Sequence, residues 1–252
     1  MDAVKNIVNQ FSSITLEEMD TVKLLDRIDT KYIFNINQLP ELLTMIQNQY
    51  RVLEINGTRL CRYETLYFDT SDYRLYLQHH NGKMNRYKVR IRRYVDADTR
   101  FFEIKLKNNK GRTIKNRIKR SENSSEELNG KTREWLNAKI PGLADRLRPV
   151  LWVLYSRITL INKNSPERLT IDIGLHYKNK EKTKSYPELV IAEVKQSKSA
   201  VSPFIQIMHQ HHIQKKGISK YCFGIICTNN TVKINNFKEK IAYINKYYHD
   251  TN

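Results

Sequence analysis

Three segments between residues 86 and 119 place basic side chains at every second position. In an extended strand, alternate side chains point to the same face, so each segment would have one basic face and one apolar face. Guanidinium and ammonium groups arrayed in this way bind phosphate oxygens, arginine bidentately and lysine as a point charge. The residues of these basic faces are Arg86, Lys88, Arg90 and Arg92, then Glu103, Lys105 and Lys107, then Lys115, Arg117 and Lys119.

Pairing such strands side by side is unfavourable unless a ligand neutralises the basic face. Like charges that face each other across paired strands repel. At about 5 Å and an effective dielectric of about 20, each uncompensated pair costs up to roughly 3 kcal/mol. The pattern therefore predicts a strongly anionic ligand on that face.

The composition of the whole chain also indicates polyanionic partners. The 252 residues carry a formal net charge of +18, and the isoelectric point is about 9.7. The candidate partners are nucleic acid, a phosphate-rich small molecule, inorganic polyphosphate and an anionic membrane surface. Nucleic acid is disfavoured, because the aromatic residues needed for base stacking do not share the basic face in the first and third segments.

Common catalytic motifs of nucleotide and hydrolytic enzymes are missing from the sequence. It has no GxxxxGK[ST] loop, no GxGxxG after a strand, no HExxH and no GxSxG. P-loop, dinucleotide-binding, zincin and α/β-hydrolase chemistry are therefore excluded as interpretations.

Cysteine content and hydropathy predict a cytoplasmic protein. Cys61, Cys222 and Cys227 have no metal-type spacing, and an odd count without a disulfide framework favours a reducing compartment. Residues 1–10 are too polar for a signal peptide, and no apolar run approaches about 18 residues. Peripheral association with a membrane through the basic surface stays open, and any transport of product across a membrane would need a partner protein.

Hydrophobic periodicity predicts many strands and few helices. We expect strands at residues 27–34, 59–69, 86–92, 101–107, 114–119, 150–161, 168–177, 187–195 and 221–228. We expect helices at residues 37–46, 124–138, 201–214 and 237–248. Ser202 is the expected N-cap of the third helix, with Pro203 at its first position.

Many of these strands have one charged face and one apolar face. Their number predicts an α+β, β-dominated fold in a single domain over residues 1–252. The expected architecture is an eight-stranded antiparallel β-barrel with flanking helices and a core at about 20–228. The apolar faces would pack outward against the helices, while the charged faces would line a tunnel.

The residues on the charged faces form the candidate site. Its acidic members are Glu103, Asp172 and Glu193, which either hold a divalent metal or neutralise basic neighbours, with Glu193 the strongest metal candidate. His80 would either contact phosphate or serve a structural polar role. The basic members are Lys31, Arg62, Lys88, Arg90, Arg92, Lys105, Lys107, Lys115, Arg117, Arg157, Arg168, Lys195, Lys216 and Lys220.

A series of short motifs occurs in the order typical of one protein family. They are Arg27-Ile-Asp-Thr-Lys31-Tyr32, Thr65-Leu-Tyr-Phe-Asp69-Thr70, Lys88-Val-Arg90-Ile-Arg92, Phe102-Glu103-Ile-Lys105, Lys115-Asn-Arg117, Tyr155-Ser-Arg157, Arg168-Leu-Thr-Ile-Asp172, Glu193-Val-Lys195 and Ser219-Lys220. With them the chain resembles the vacuolar transporter chaperone (VTC) domain, the polyphosphate polymerase branch of the triphosphate tunnel metalloenzymes. The resemblance runs from about residue 20 to residue 228.

The resemblance implies a barrel whose tunnel binds triphosphate or polyphosphate. The implied reaction transfers the terminal phosphoryl group of ATP onto a growing polyphosphate chain, with Mn²⁺ or Mg²⁺ as the metal. When the roles of the family motifs are carried over to this chain, the resemblance implies that Glu193 would hold the metal. Arg62 and Lys216 match the family motifs less closely, because the spacing around them is looser. The residues implied to grip phosphate during catalysis are Lys31, Arg90, Arg92, Lys105, Lys115, Arg157, Arg168 and Lys220.

One motif departs from the hydrolytic members of the same superfamily. Those begin with an ExExK strand whose glutamates help to bind metal and prepare water, whereas this chain has Arg27-Ile28-Asp29-Thr30-Lys31. The missing glutamate favours polymerisation over hydrolysis. Two alternatives stay open: a metal-dependent triphosphatase, and a non-catalytic module that binds polyphosphate or another polyanion.

Overall fold

One curled sheet dominates the fold in the computed structural model, which describes residues 1–21, 27–121, 127–128, 130–197 and 200–248. The strands are β1 (Ser12–Ile14), β2 (Arg27–Asn35), β3 (Tyr50–Leu53), β4 (Cys61–Asp69), β5 (Arg86–Tyr94), β6 (Thr99–Lys107), β7 (Thr113–Arg120), β8 (Arg148–Asn162), β9 (Glu167–Lys178), β10 (Thr183–Tyr186) and β11 (Leu189–Ser197). The helices are α1 (Asp2–Val8), α2 (Leu16–Thr21), α3 (Leu39–Ile46), α4 (Arg74–His80), α5 (Gly130–Lys139), α6 (Pro203–Gln210), α7 (Lys220–Thr228) and α8 (Lys238–Tyr247).

The strands pair in the order β2-β11-β9-β8-β4-β5-β6-β7, with β10 beside β9 and β3 beside β8. These pairs are antiparallel, and β1 pairs with β3 in parallel. The prediction of an antiparallel, β-dominated fold with flanking helices is therefore confirmed.

The predicted closed barrel is not observed, because β2 and β7 do not pair with each other in the part of the chain that the structure describes. Residues 215–216 instead lie along β2. Tyr32 forms a bridge with Lys215, and the Lys216 backbone N–H donates to the Lys31 carbonyl at 2.9 Å. The sheet is therefore open, because this short segment takes up β2 backbone groups that a closing strand would need.

The alternation predicted for the basic strands is present in β5 and β6. Val89, Ile91, Phe102 and Ile104 are buried together and pack against α5, which contributes Leu136. The intervening charged residues lie on the opposite face of the sheet. An apolar outer layer therefore holds the basic strands in register.

A second apolar layer covers the outer face of β2, β9 and β11. In α3 the residues Leu39, Leu42, Leu43 and Ile46 are buried, at the spacing of one helix face. The helix predicted from residue 37 begins at Leu39 instead, because Asn35 caps a short turn, Ile36–Gln38, that precedes α3. The expected cap of α6 is confirmed, since the Ser202 side chain accepts the Ile205 N–H.

The strand predicted at residues 221–228 is wrong, because this stretch forms helix α7. Ser219 caps the helix, and nearly every side is buried, so the sequence shows no amphipathic period. Gly224 permits close packing on the sheet: a Cβ there would lie 2.5 Å from the Tyr177 ring and 2.6 Å from Leu151. This helix adds Cys222, Phe223 and Ile226 to the lining of the concave face, for which the sequence predicts charged side chains.

Other differences concern short elements and helix ends. The predicted start of the helix at residue 124 lies outside the described residues, and α5 is described from Gly130. The elements β1, β3, β10 and α4 are short and were not predicted individually. None of the helices in the described ranges is both long enough and apolar enough to span a membrane.

Candidate functional site

A cavity of about 470 Å³ opens on the concave side of the sheet. Its walls come from β2 and β11 at one end of the strand order and from β5, β6 and β7 at the other, with α4, α7 and α8 completing it. The curl of the sheet thus brings distant strands together around one space. Six basic side chains and two carboxylates line it: Lys31, Arg86, Lys88, Lys105, Lys107, Lys240, Asp29 and Glu193.

Three lysines from neighbouring strands lie side by side on the basic face. Lys88 faces Lys105 across β5 and β6, and Lys105 faces Lys115 across β6 and β7. Partial removal from water, together with the charges of Lys88, Arg90 and Lys31, lowers the pKa of Lys105 to about 7. An anion bound here would offset this repulsion and favour the charged lysine.

Hydrogen bonds position Lys88 and His79 on the cavity wall. Lys88 Nζ donates to Ser219 Oγ at 2.9 Å, and burial lowers the pKa of Lys88. Burial and the charge of Lys88 lower the pKa of His79 to about 3, so its ring is neutral near pH 7. Its Nδ1 accepts from Arg86 Nε at 3.1 Å and its Nε2 lies 3.1 Å from the Tyr87 carbonyl. Sequence reasoning missed His79, because nothing in the spacing distinguished it from the next histidine.

Glu193 lies between two lysines at the cavity. Its Oε1 is 3.2 Å from Lys31 Nζ, and its Oε2 is 2.5 Å from Lys195 Nζ. Burial opposes ionisation of Glu193, but the two ammonium groups outweigh it and hold the pKa of the carboxyl well below its usual range. Asp29 is the other carboxylate in the cavity lining. Lys216 supports this wall through its backbone bond to Lys31.

Glu103 fixes the basic residues of the central strands. Arg90 Nε donates to Glu103 Oε2 at 2.7 Å and its Nη1 donates to the Tyr67 hydroxyl at 3.2 Å, while Lys115 forms an ion pair with Oε1. Burial opposes ionisation of Glu103, but Arg90, Arg92 and Lys115 hold its pKa at about 2. The carboxylate therefore stays charged and orients its neighbours.

Asp172 fixes a second basic pair. Arg157 donates to both carboxylate oxygens, at 2.6 Å and 2.8 Å, and the Lys220 ammonium group bonds to one of them. Tyrosine rings lie beneath these cations: the Arg157 guanidinium is 5.0 Å from the Tyr63 centroid, and Lys220 Nζ is 4.8 Å from the Tyr155 centroid. Aromatic faces stabilise the positive charges without neutralising them.

A buried aspartate that sequence reasoning did not select accepts a hydrogen bond from Tyr221, the residue after Lys220 in α7. Asp69 Oδ1 accepts the Leu75 N–H at 2.8 Å, and Oδ2 accepts the Tyr76 N–H at 2.9 Å together with the Tyr221 hydroxyl. Asp69 thereby joins β4 to the start of α4 and to α7. Its only sequence signal is its place in a family motif.

Two of the candidates outside the cavity lining, Arg62 and His80, have protein partners of their own. Arg62 is on the outer face of β4, where its guanidinium donates twice to Asp96 Oδ1, at 3.0 Å and 2.8 Å. His80 is buried, and its Nε2 accepts the Asn236 N–H at 3.2 Å. The structure thus gives both residues protein partners rather than an open anion site.

The remaining basic candidates continue the basic face. Lys107 lines the cavity. The exposed Arg117 lies with its guanidinium 4.5 Å from the Phe101 centroid. Arg168 is half-buried and faces Lys195 across β9 and β11. The cavity therefore lies at one end of a longer basic surface.

Comparison with known proteins gives the same family as the order of the sequence motifs. The family model described as VTC domain matches residues 26–229, whereas no curated protein matches significantly. The fold is similar to that of a candidate adenylate cyclase from Bacillus halodurans, with a TM-score of 0.51, 15% identity, and coverage of 84% of this chain and 97% of that one. It is also similar to a candidate adenylyl cyclase from Hippeastrum described as having a dominant triphosphatase activity, with a TM-score of 0.52, 12% identity, and coverage of 82% and 98%. These identities show a shared fold alone. Because the family model covers most of the chain, the protein belongs to the VTC domain family.

Proposed function

We propose that this protein is a polyphosphate polymerase that transfers the terminal phosphoryl group of ATP onto polyphosphate. The observation that carries the proposal is the cavity lining, in which six basic side chains accompany two carboxylates. Such an excess of positive charge attracts and retains a polyanion. Membership of the VTC family supports the same class of substrate.

The proposed reaction needs positioning and charge neutralisation rather than a nucleophilic side chain. An oxygen of the terminal phosphate of the polymer attacks the γ-phosphorus of ATP. The bond from that phosphorus to the β–γ bridging oxygen breaks, ADP leaves, and the polymer gains one phosphate. Lys31, Lys88 and Lys105 neutralise the phosphate oxygens during this step.

The basic residues beyond the cavity hold neighbouring phosphates. A guanidinium has five N–H donors, so Arg90 and Arg157 keep donors for phosphate while bonded to Glu103 and Asp172. The carboxylates fix these arginines in place, which lowers the entropy lost on binding. The same binding role is proposed for Arg92, Lys115, Arg168 and Lys220.

A divalent metal fits beside Glu193. Among the described residues, no group of three His, Cys, Asp or Glu side chains is suited to hold a metal. Mg²⁺ is commonly held by one or two carboxylates together with substrate phosphates, however, and Glu193 and Asp29 supply that number in the cavity. The metal, either Mn²⁺ or Mg²⁺, would neutralise phosphate charge. Glu103 and Asp172 would neutralise the positive charges of the arginines bonded to them instead of holding the metal.

A metal-dependent triphosphatase is the second candidate. The similar fold of the Hippeastrum protein, described as having triphosphatase activity, favours it. The presence of Asp29 and Glu193 in one cavity lining also favours it, because two carboxylates could orient a water molecule. Polymerisation and hydrolysis differ in the acceptor, polyphosphate or water, so the products distinguish them.

The test is incubation of the full chain with ATP and Mn²⁺, with polymer resolved on a gel and free phosphate assayed in parallel. We expect long-chain polymer, lost in Lys105→Ala and retained in Lys110→Ala, because Lys110 is exposed in the turn after β6. Free phosphate without polymer would replace the proposal with the triphosphatase. Binding without either product would leave a polyanion-binding module.

A further inference from the structure

The segment after residue 229 lies outside the VTC family match, yet it is built into the fold. The Tyr76 hydroxyl donates to the Lys233 carbonyl at 2.6 Å, and Asn236 Nδ2 donates to the His80 carbonyl at 2.9 Å. In α8 Ile244 is 1% exposed, and Tyr248 directly after the helix is 3% exposed; both belong to the apolar cluster that surrounds α7. These contacts hold α8 against the body of the protein.

One face of α8 completes the cavity wall. Phe237, Lys240 and Ile241 line the cavity, and Ile244 lies one turn further on the same helix face. The Lys216 ammonium group is 3.3 Å from the Tyr243 ring centroid, which ties the helix to the segment beside β2. The position of Lys240 at the cavity is therefore fixed by packing on both sides.

Lys240 is the basic residue that α8 contributes to this lining. Its side chain is exposed, so it lies where the cavity meets solvent. The carboxylates of the lining form ion pairs with other residues: Asp29 with Arg27, and Glu193 with Lys31 and Lys195. An ammonium group at this point can meet an anion that extends out of the cavity.

Arg86 and Lys107 supply positive charge from the sheet side of the same cavity. They face each other across β5 and β6, two residues along each strand from Lys88 and Lys105. The basic surface thus continues past Lys88 and Lys105, and Lys240 of α8 lines the same cavity.

We propose that Lys240 forms, with Arg86 and Lys107, a binding site for the part of a polyphosphate chain beyond the first three phosphates. The inference rests on the proposed function, because it assigns the polymer to the same cavity. Lys240 then favours long polymer over tripolyphosphate, and it lies in a segment that the family match does not include.

The experiment compares the affinities of tripolyphosphate and long-chain polyphosphate for the full chain by titration calorimetry at fixed ionic strength. Lys240→Ala should weaken long-chain binding by about threefold to fivefold, the loss typical of one exposed charge contact. Tripolyphosphate binding should stay the same within about twofold, and the long-chain effect should shrink as salt is added. Lys238→Ala is the matched control, because Lys238 is exposed on the same helix and does not line the cavity.

Each outcome separates this inference from the proposed function. Equal weakening of both ligands by Lys240→Ala would place Lys240 in the triphosphate site and overturn the extended site. An effect no larger than that of Lys238→Ala would also overturn it. If the unmodified protein bound neither ligand, the proposed function would fail, and the extended site with it.

Discussion

Replacing Lys105 with methionine should stabilise the fold while removing anion binding. Lys105 lies between Lys88 and Lys115 on adjacent strands, and its pKa is lowered from an ordinary value of 10.5 to about 7. For a fully buried group this lowering corresponds to roughly 5 kcal/mol. The side chain is exposed to water at the cavity, which screens its repulsions. We therefore expect Lys105→Met to raise the free energy of unfolding by only about 1–2 kcal/mol at about pH 6.

The increase in the free energy of unfolding caused by Lys105→Met should depend on pH in a defined direction. Between pH 7 and 10.5 the unfolded chain retains the Lys105 proton that the folded protein releases, so this residue makes wild-type stability rise with pH. The variant has no such group. Its advantage should therefore be largest below pH 7 and fade as the pH approaches 10.5.

Urea denaturation at about pH 6 and about pH 10 measures this difference. Lys110→Met is the control, because Lys110 lies in an exposed turn away from the cavity. Added tripolyphosphate should stabilise the wild type more than Lys105→Met, since bound anion offsets the repulsion. A variant that is less stable at both pH values, or an advantage independent of pH, would refute the reasoning.

Two further substitutions test the packing of α7 and the metal assignment. Gly224→Ala should lower the free energy of unfolding by about 1–3 kcal/mol, because the added methyl group would lie 2.5 Å from the Tyr177 ring; an unchanged urea midpoint would contradict this close approach. Glu193→Gln should reduce the rate by roughly tenfold and raise the Mn²⁺ concentration needed for half-maximal activity, because a neutral amide is a weaker metal ligand than a carboxylate. An unchanged dependence of the rate on Mn²⁺ concentration would contradict the assignment of Glu193 as a metal ligand.

The faces of β5 and β6 were predictable from the sequence because two simple rules agree there. Val89 and Ile91 are strongly apolar and alternate with Lys88, Arg90 and Arg92, so burial of one face fixes the other. The alignment of Lys88, Lys105 and Lys115 follows from the pairing of β5, β6 and β7. This pairing is simple to predict, because short connections join these adjacent antiparallel strands. This part of the candidate site needed no long-range information.

Strand β4 shows where alternation alone is insufficient. Tyr63 and Tyr67 count as apolar in the sequence pattern, yet they face the arginines of β5: Arg92 lies 5.5 Å from the Tyr63 centroid and Arg90 lies 5.9 Å from the Tyr67 centroid. Tyrosine is compatible with either face, because its ring attracts cations and its hydroxyl accepts hydrogen bonds. Arg62 consequently lies on the outer face.

The remaining differences depend on contacts between distant parts of the chain. Asp69 meets Tyr221 across 152 residues, and no local pattern encodes that bond. Residues 215–216, which connect α6 to α7, pair with β2. A prediction made strand by strand does not include such a connecting segment, and so it predicts a closed barrel. Tertiary packing also makes a helix of the apolar stretch at α7, whose composition fits a strand equally well.

The most direct test of the proposed phosphate site is a crystal structure of the protein with tripolyphosphate. The predicted result is a phosphate chain within the cavity, with its oxygens in hydrogen-bond distance of Lys31, Lys88 and Lys105. Phosphate found only on the outer face of the sheet, with the three lysines contacting nothing but water, would contradict the assignment of this cavity as the polyphosphate site.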